Sequence, residues 1–321
     1  MEADLTIHLH TKYLVNDQYE EIDEENLKLI QAGLTHFLSQ LAEMGHLVIQ
    51  SLKQVHVPNN FEKEVQLFGR VVNIDEEQAI QGIEQSLAVT VFYTNEAGKE
   101  EQALFLRYEG LEALFSPNDE YAEASKQVKY AIYHELARID QYTTQKLADD
   151  AKRNLLPSLL GKLSLNTWQK YYASRKAASM FAPGDIGIES LHGVLNWFYD
   201  RTVYHKNNHQ GNYHHLLRSI YEDMGYVLFT AAAIHGNIDG LQASEENKKE
   251  LLSRILILFE ESYWMTHFEE LGNELRTLFG SYPDWQNGSE LEKINEIILR
   301  TMNDFGVFPE DANEQIFVRV E

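Results

Sequence analysis

Tyr133-His134-Glu135-Leu136-Ala137-Arg138-Ile139-Asp140 is the stretch on which the reading of this chain turns. On a helix, His134 and Arg138 are four residues apart and lie one turn above the other, with Glu135 to one side. A histidine followed by a glutamate sets a metal ligand beside a proton acceptor. The position one turn on, where a second imidazole would complete a metal grip, holds Arg138. Its guanidinium is a fixed cation with no lone pair to offer a metal.

Working outward, the charge changes sign around this stretch. Residues 126–180 carry 10 Lys/Arg against 4 Asp/Glu, a net of +6. Residues 1–125 carry 7 against 23, a net of -16, and residues 181–321 carry 10 against 23, a net of -13. The basic middle is read as pairing with the acidic flanks, or as a pocket for an anion. The whole chain, at -23, repels phosphate over most of its surface, which excludes a direct nucleic-acid binder. There is no cysteine among the 321 residues, so thiolate metal sites and a cysteine nucleophile are excluded. No apolar run reaches membrane-spanning length and no leader-like segment opens the chain. These features point to a cytoplasmic protein with no membrane partner.

The flanks differ in period as well as charge. Residues 5–15 alternate like a strand, and the acidic run from Glu20 opens an amphipathic helix to about Val55. Segments 64–74, 83–94 and 101–108 read as strands, the last two joined by the turn Asn95-Glu96-Ala97-Gly98. Beyond 119 the pattern is helical: 119–150, 165–182, 186–203, 212–236, 246–280 and 289–304. Pro157, Pro183-Gly184, Gly211, Gly236 and Pro283 punctuate these segments. The final Ile316–Val320 reads as a short strand returning to the sheet. The expected fold is α+β, with a small antiparallel sheet and helices in the N-terminal part and a mostly helical C-terminal part. Two domains, 1–118 and 119–321, or one continuous domain, fit this pattern.

A second helical stretch bears on the first: Trp168-Gln169-Lys170-Tyr171-Tyr172-Ala173-Ser174-Arg175. Together they resemble the H-E-L-x-H-x-x-D and W-x-E-Y-x-A-x-R patterns of bacterial and phage-borne gluzincin-like zinc metallopeptidases. The resemblance covers about residues 125–180. It implies that two histidines of the first helix and the glutamate before the tyrosine of the second hold zinc. It also implies that an edge strand, sought here at 101–108, holds an extended peptide. Matched residue by residue, His134 is a ligand and Glu135 the base, but Arg138 and Lys170 stand at the other two ligand positions. Two cations beside Zn²⁺ repel it at a cost of several kcal/mol. The resemblance thus implies an inactivated scaffold, with His134 and Glu135 vestigial and an ionic cluster of Arg138 with Glu135 or Asp140, joined by Lys170, in place of the metal.

Other features read as structure. His205 and His209 stand four apart, but the Asn pair and Gly211 favour a polar loop over a metal pair. Residues 181–187 read as a helix-to-helix turn, Asp239-Gly240 as a loop, and the aromatic segments 197–204 and 259–268 as core. The functional expectation is a non-catalytic interaction or inhibitor protein of phage or mobile-element character. It would have no cofactor and would bind a basic protein partner through acidic surfaces. The alternative is a metal-dependent hydrolase or peptidase with a rebuilt site using His134 and Glu135. A homo-oligomer using the apolar run Leu251–Phe259 is a third expectation.

Overall fold

The computed structural model describes residues 5–10, 12–15, 18–72, 86–116, 119–144, 155–258, 264–285, 288–312 and 315–321. They form an α+β fold that packs as two compact units. The first comprises residues 1–144 and 180–184, and the second 145–179 and 185–321. The helix carrying residues 133–140 therefore groups with the sheet.

In the first unit, β1 (Thr6–Leu9) is followed by a separate hairpin of β2 (Lys12–Val15) and β3 (Gln18–Glu21). Helix α1 (Glu24–Gly45) starts where the Asp23 carboxylate accepts the Asn26 N–H at 2.8 Å. It buries Leu34, Leu38, Leu41 and Ala42 on one stripe and ends at His46, whose φ of 52° is left-handed. The chain then enters β4 (Leu52–Val57), where a helix had been expected to continue to about 55. Helix α2 (Phe61–Val71) occupies most of the expected strand 64–74. Asn60 caps it through the Lys63 N–H, and the stripe Phe61, Val65, Phe68 and Gly69 has helical period. An apolar run this short satisfies both periods, and the cap decides between them.

The strands β5 (Ala88–Thr94) and β6 (Glu100–Leu106) follow as the expected hairpin, though residues 83–85 of the first expected strand lie outside the described residues. The four-stranded sheet has the order β1-β4-β6-β5. Only the β5–β6 pair is antiparallel, so the sheet is mixed rather than antiparallel. Strand β6 is internal and β5 is the edge. One face presents Val91, Tyr93, Ala103 and Phe105 to Phe61, Val65 and Phe68 of α2. After α3 (Tyr108–Phe115) and a 3-10 turn at Asp119–Tyr121, helix α4 (Ala122–Thr144) lies against β5 with α1 beside it. The remainder of the expected helix 119–150 lies outside the described residues.

The second unit is built of α5 (Leu155–Met180), α6 (Ile188–Asn208), α7 (Tyr213–Gly240), α8 (Glu245–Leu258), α9 (Trp264–Ser281) and α10 (Glu292–Asp304). A hairpin of β7 (Val307–Ala312) and β8 (Gln315–Val320) completes it. Strand β8 thus pairs with β7 and does not return to the first sheet. The expected helix 246–280 is α8 and α9, with residues 259–263 outside the described ones. Helix α5 begins ten residues before the expected start and takes Pro157 into its first turn, where the missing N–H costs no helical bond.

Gly236 and Asp239-Gly240 are not punctuation or loop: α7 runs through them. A Cβ at Gly236 would stand 2.5 Å from the Tyr171 carbonyl oxygen, and one at Gly240 would collide with that of Arg175. The two glycines, four apart, let α7 lie directly on the backbone of α5. Asp239, between them, accepts from the Tyr171 hydroxyl at 2.7 Å and pairs with Arg276 at 3.4 Å. Segment 197–204 is not core either. Phe198 and Thr202 turn inward, while Trp197, Tyr199, Val203 and Tyr204 are exposed.

Candidate functional site

Helix α4 places Tyr133 to Asp140 along the outer edge of β5. The direction of that edge follows from the ladder. The Arg107 N–H donates to the Leu87 carbonyl and the Asn95 N–H to that of Lys99, so odd-numbered residues of β5 point their backbone groups at β6. Even-numbered residues, Thr90 among them, point theirs away from the sheet.

Glu135 meets that edge. Its Oε2 accepts the Thr90 N–H at 2.9 Å and the Arg138 Nη1–H at 2.9 Å. Its Oε1 accepts from His134 Nδ1 at 3.0 Å, so Nδ1 carries the proton there. His134 and Glu135 are both 6% exposed. Arg138 reaches on over the Phe92 ring, 5.4 Å from its centroid. One turn further, Tyr142 packs on Phe92 and donates to Glu100 at 3.0 Å. Asp140 turns the other way, to the α1 side, and accepts the Val48 N–H at 2.7 Å. Of the two carboxylates considered for Arg138, Glu135 is the partner. Tyr133 is buried against α1 at Gly45, and burial with the nearby Asp140 pushes its hydroxyl up to about 12.

The structure therefore brings His134, Glu135 and Arg138 together with Thr90, which the sequence did not single out. Thr90 carries no motif; its part depends on β5 being the edge strand, which only the sheet order shows. Lys170 stands half-buried on α5, in the second unit. A general base must offer a lone pair to a water or substrate proton. Glu135 is instead closed in among internal donors at 6% exposure, where water does not reach its lone pairs, and the group ties a helix to a strand edge.

His205, His209, His235 and His267 are also engaged within the second unit. His205 lies on α6, not in a loop, and meets the buried Asp223 at 3.1 Å, where Arg201 joins at 3.2 Å. His209 is the cap residue of α6 and accepts the Gly211 N–H. His235 is buried, stacks on Phe268 and donates from Nε2 to the Phe268 carbonyl at 2.9 Å. Burial pushes His235 down to about 3. His267 meets Asp304 at 2.6 Å. Among the described residues, no group of three or more His, Cys, Asp or Glu side chains is placed to hold a metal ion. Among the same residues, no helix is long and apolar enough to cross a membrane.

No protein-family model, no curated protein and no solved structure matches this chain.

Proposed function

We propose that this chain is a non-catalytic interaction protein on a metallopeptidase-like scaffold, holding a basic protein partner through exposed carboxylates. The observation that carries this reading is the engagement of Glu135. The residue at the base position accepts a strand N–H, an imidazole N–H and a guanidinium. The cation at the second ligand position is its ion-pair partner. The sheet preceding the helix that bears the His-Glu pair supports the scaffold assignment, while the edge strand expected at 101–108 is the internal β6 and the edge is β5. Exposed carboxylates support the partner class. Asp23, Glu24 and Glu25 open α1, and Glu109, Glu112, Asp119, Glu120 and Glu123 are exposed from α3 to the start of α4.

The test has two arms. Elemental analysis of purified protein should find no zinc or manganese that His134→Ala removes. Affinity capture from a lysate should retain a basic partner, and the charge-reversed variant Glu109→Lys/Glu112→Lys/Glu120→Lys/Glu123→Lys should lose it while His134→Ala keeps it. Stoichiometric metal lost with His134, or capture indifferent to the charge reversal, overturns the reading.

A further inference from the structure

The face of the first sheet that bears α2 carries a feature unrelated to the motif helix. Three rings stack across three neighbouring strands: His8 on β1, His56 on β4 and Phe105 on β6. The centroids are 4.5 and 4.6 Å apart, and the planes are within 15° and 9° of parallel. The register sets each ring opposite the next, His8 with His56 and His56 with Phe105. Phe68 of α2 closes the inner end of the stack edge-on, while His8, at the outer end, is exposed.

Beside the stack, a chain of hydrogen bonds runs in one direction. A glutamine oxygen only accepts, so His56 Nε2–H donates to Gln54 Oε1 at 2.9 Å. Gln54 Nε2 donates to the Tyr93 hydroxyl at 3.1 Å, and Tyr93 donates to Glu101 Oε2 at 3.1 Å. Asn95 holds the other oxygen of Glu101 at 2.8 Å. Burial keeps His56 neutral, down to about 4, and pushes Tyr93 up to about 12, so neither link changes charge near neutrality. Gln54 and Glu101 are therefore held in place from behind.

These two residues line a cavity of about 540 Å³ with Thr6, His8, Lys53 and Lys99. The presence of both Lys53 and Gln54 in one wall has a backbone cause. Neighbours on a regular strand face opposite ways. The β4–β6 register slips between Leu52 and Gln54, and Lys53 is the extra residue of the bulge. A bulge re-aims a side chain, and here it brings an ammonium group to the wall of Gln54. Two lysines beside one open, shallow hollow, against the single carboxylate of Glu101, stand out on a chain of net charge -23, and a local excess of cations attracts anions.

We propose that this cavity binds a small phosphorylated ligand with a planar ring, a mononucleotide being the chemical class that uses every wall. The phosphate is held by Lys53 and Lys99, and the base extends the ring stack on the exposed face of His8. Glu101 and Thr6 meet hydroxyl or amino groups. The volume lies within the range of small-molecule sites. The supporting chain from His56 to Glu101 supplies the positional support that a binding site requires.

The experiment is a titration of the full chain with adenosine 5′-monophosphate, and separately with inorganic phosphate, followed by calorimetry and amide chemical shifts. Adenosine 5′-monophosphate should saturate and shift Thr6, His8, Lys53, Gln54 and Lys99. Lys53→Ala/Lys99→Ala should weaken it about tenfold or more, and Lys99→Ala alone, at an exposed position, should weaken it with an unchanged urea midpoint. His8→Ala should weaken the nucleotide and leave phosphate binding unchanged. Absence of saturable nucleotide binding, or binding indifferent to the double lysine variant, overturns the proposal. Phosphate binding as tightly as the nucleotide overturns the stacked-ring assignment.

Discussion

The two faces of the first sheet treat their polar groups in opposite ways. On the α4 side, the residues that looked like machinery are closed in. Glu135 is buried, and Thr90, His134 and Arg138 supply it with donors. On the α2 side, residues that carry no motif surround an open cavity, and the groups behind them are satisfied without filling it. The contrast teaches that a motif marks where chemistry is expected, while access decides where it can occur. A buried carboxylate with three internal donors behaves as a fastener. A wall of lysine, imidazole and carboxylate, braced from behind, behaves as a receptor.

The sharpest way to break this contrast is to remove the fastener. Glu135→Ala leaves the Thr90 N–H and the Arg138 guanidinium without their carboxylate. Breaking such a buried pair from one side costs about 3 kcal/mol. Replacing Arg138 by Met in the same chain should recover more than half of that loss, because the uncompensated cation is gone. Urea unfolding followed by far-UV circular dichroism reads both. Tryptophan fluorescence is unsuitable, since Trp168, Trp197, Trp264 and Trp285 all lie in the second unit. A Glu135→Ala protein as stable as the parent would mean that the carboxylate is free for another task.

How much of this was legible in the sequence depends on whether a residue's role is local. The mixed character of the fold, the hairpin at 95–98 and the ion pair of Arg138 follow from period, turn chemistry and helical spacing. Strand β4 did not, because Leu47 to Val57 is apolar enough to prolong the helix before it, and the left-handed His46 that stops the helix has no compositional signature. Helix α2 read as a strand for the complementary reason. Gly236 and Gly240 read as breakers because glycine's local preference is unfavourable to a helix. Their use, a close approach of α7 to α5, exists only once both helices are packed. The exposed aromatic face of α6 read as core because period shows which residues share a face and not whether another element covers it. Thr90 and the cavity wall were invisible for the deepest reason. Both depend on strand order, which brings residues 6–8, 53–56 and 99–101 together and sets β5 at the edge.

A smaller effect tests the bracing on the open face. Tyr93→Phe removes the hydroxyl that accepts from Gln54 and donates to Glu101. Loss of this link should destabilise the chain by about 1 kcal/mol. It should also weaken nucleotide binding although Tyr93 does not line the cavity. A variant that binds as tightly as the parent would show that Gln54 and Glu101 hold their places unaided. The closed face should not respond: the chemical shifts of Thr90 and Glu135 should be those of the parent.

The smallest expected effect is the part of the pH dependence that His56 contributes on the open face. His56 has its folded-state pKa lowered from 6.5 to about 4, first by burial and then by the neighbouring His8 and His10. In the unfolded chain the same imidazole takes up a proton as the pH falls through 6.5. Between these values the unfolded state binds more protons, so stability rises with pH. The contribution is fully present above pH 6.5 and is lost as the pH falls toward 4. His235 in the second unit, down to about 3, acts with the same sign, so the parent's own profile mixes the two. The difference between the parent and His56→Phe removes that common part, because phenylalanine preserves a ring between His8 and Phe105 and does not titrate. At neutral pH the variant should lose about 1 kcal/mol with the bond to Gln54. By about pH 5 the gap should close by roughly 1 kcal/mol, allowing for the solvent that screens a partly buried ring. A gap constant from pH 7 to pH 5 would place the His56 pKa near that of a free imidazole. It would remove the neutral first link from which the chain to Glu101 begins.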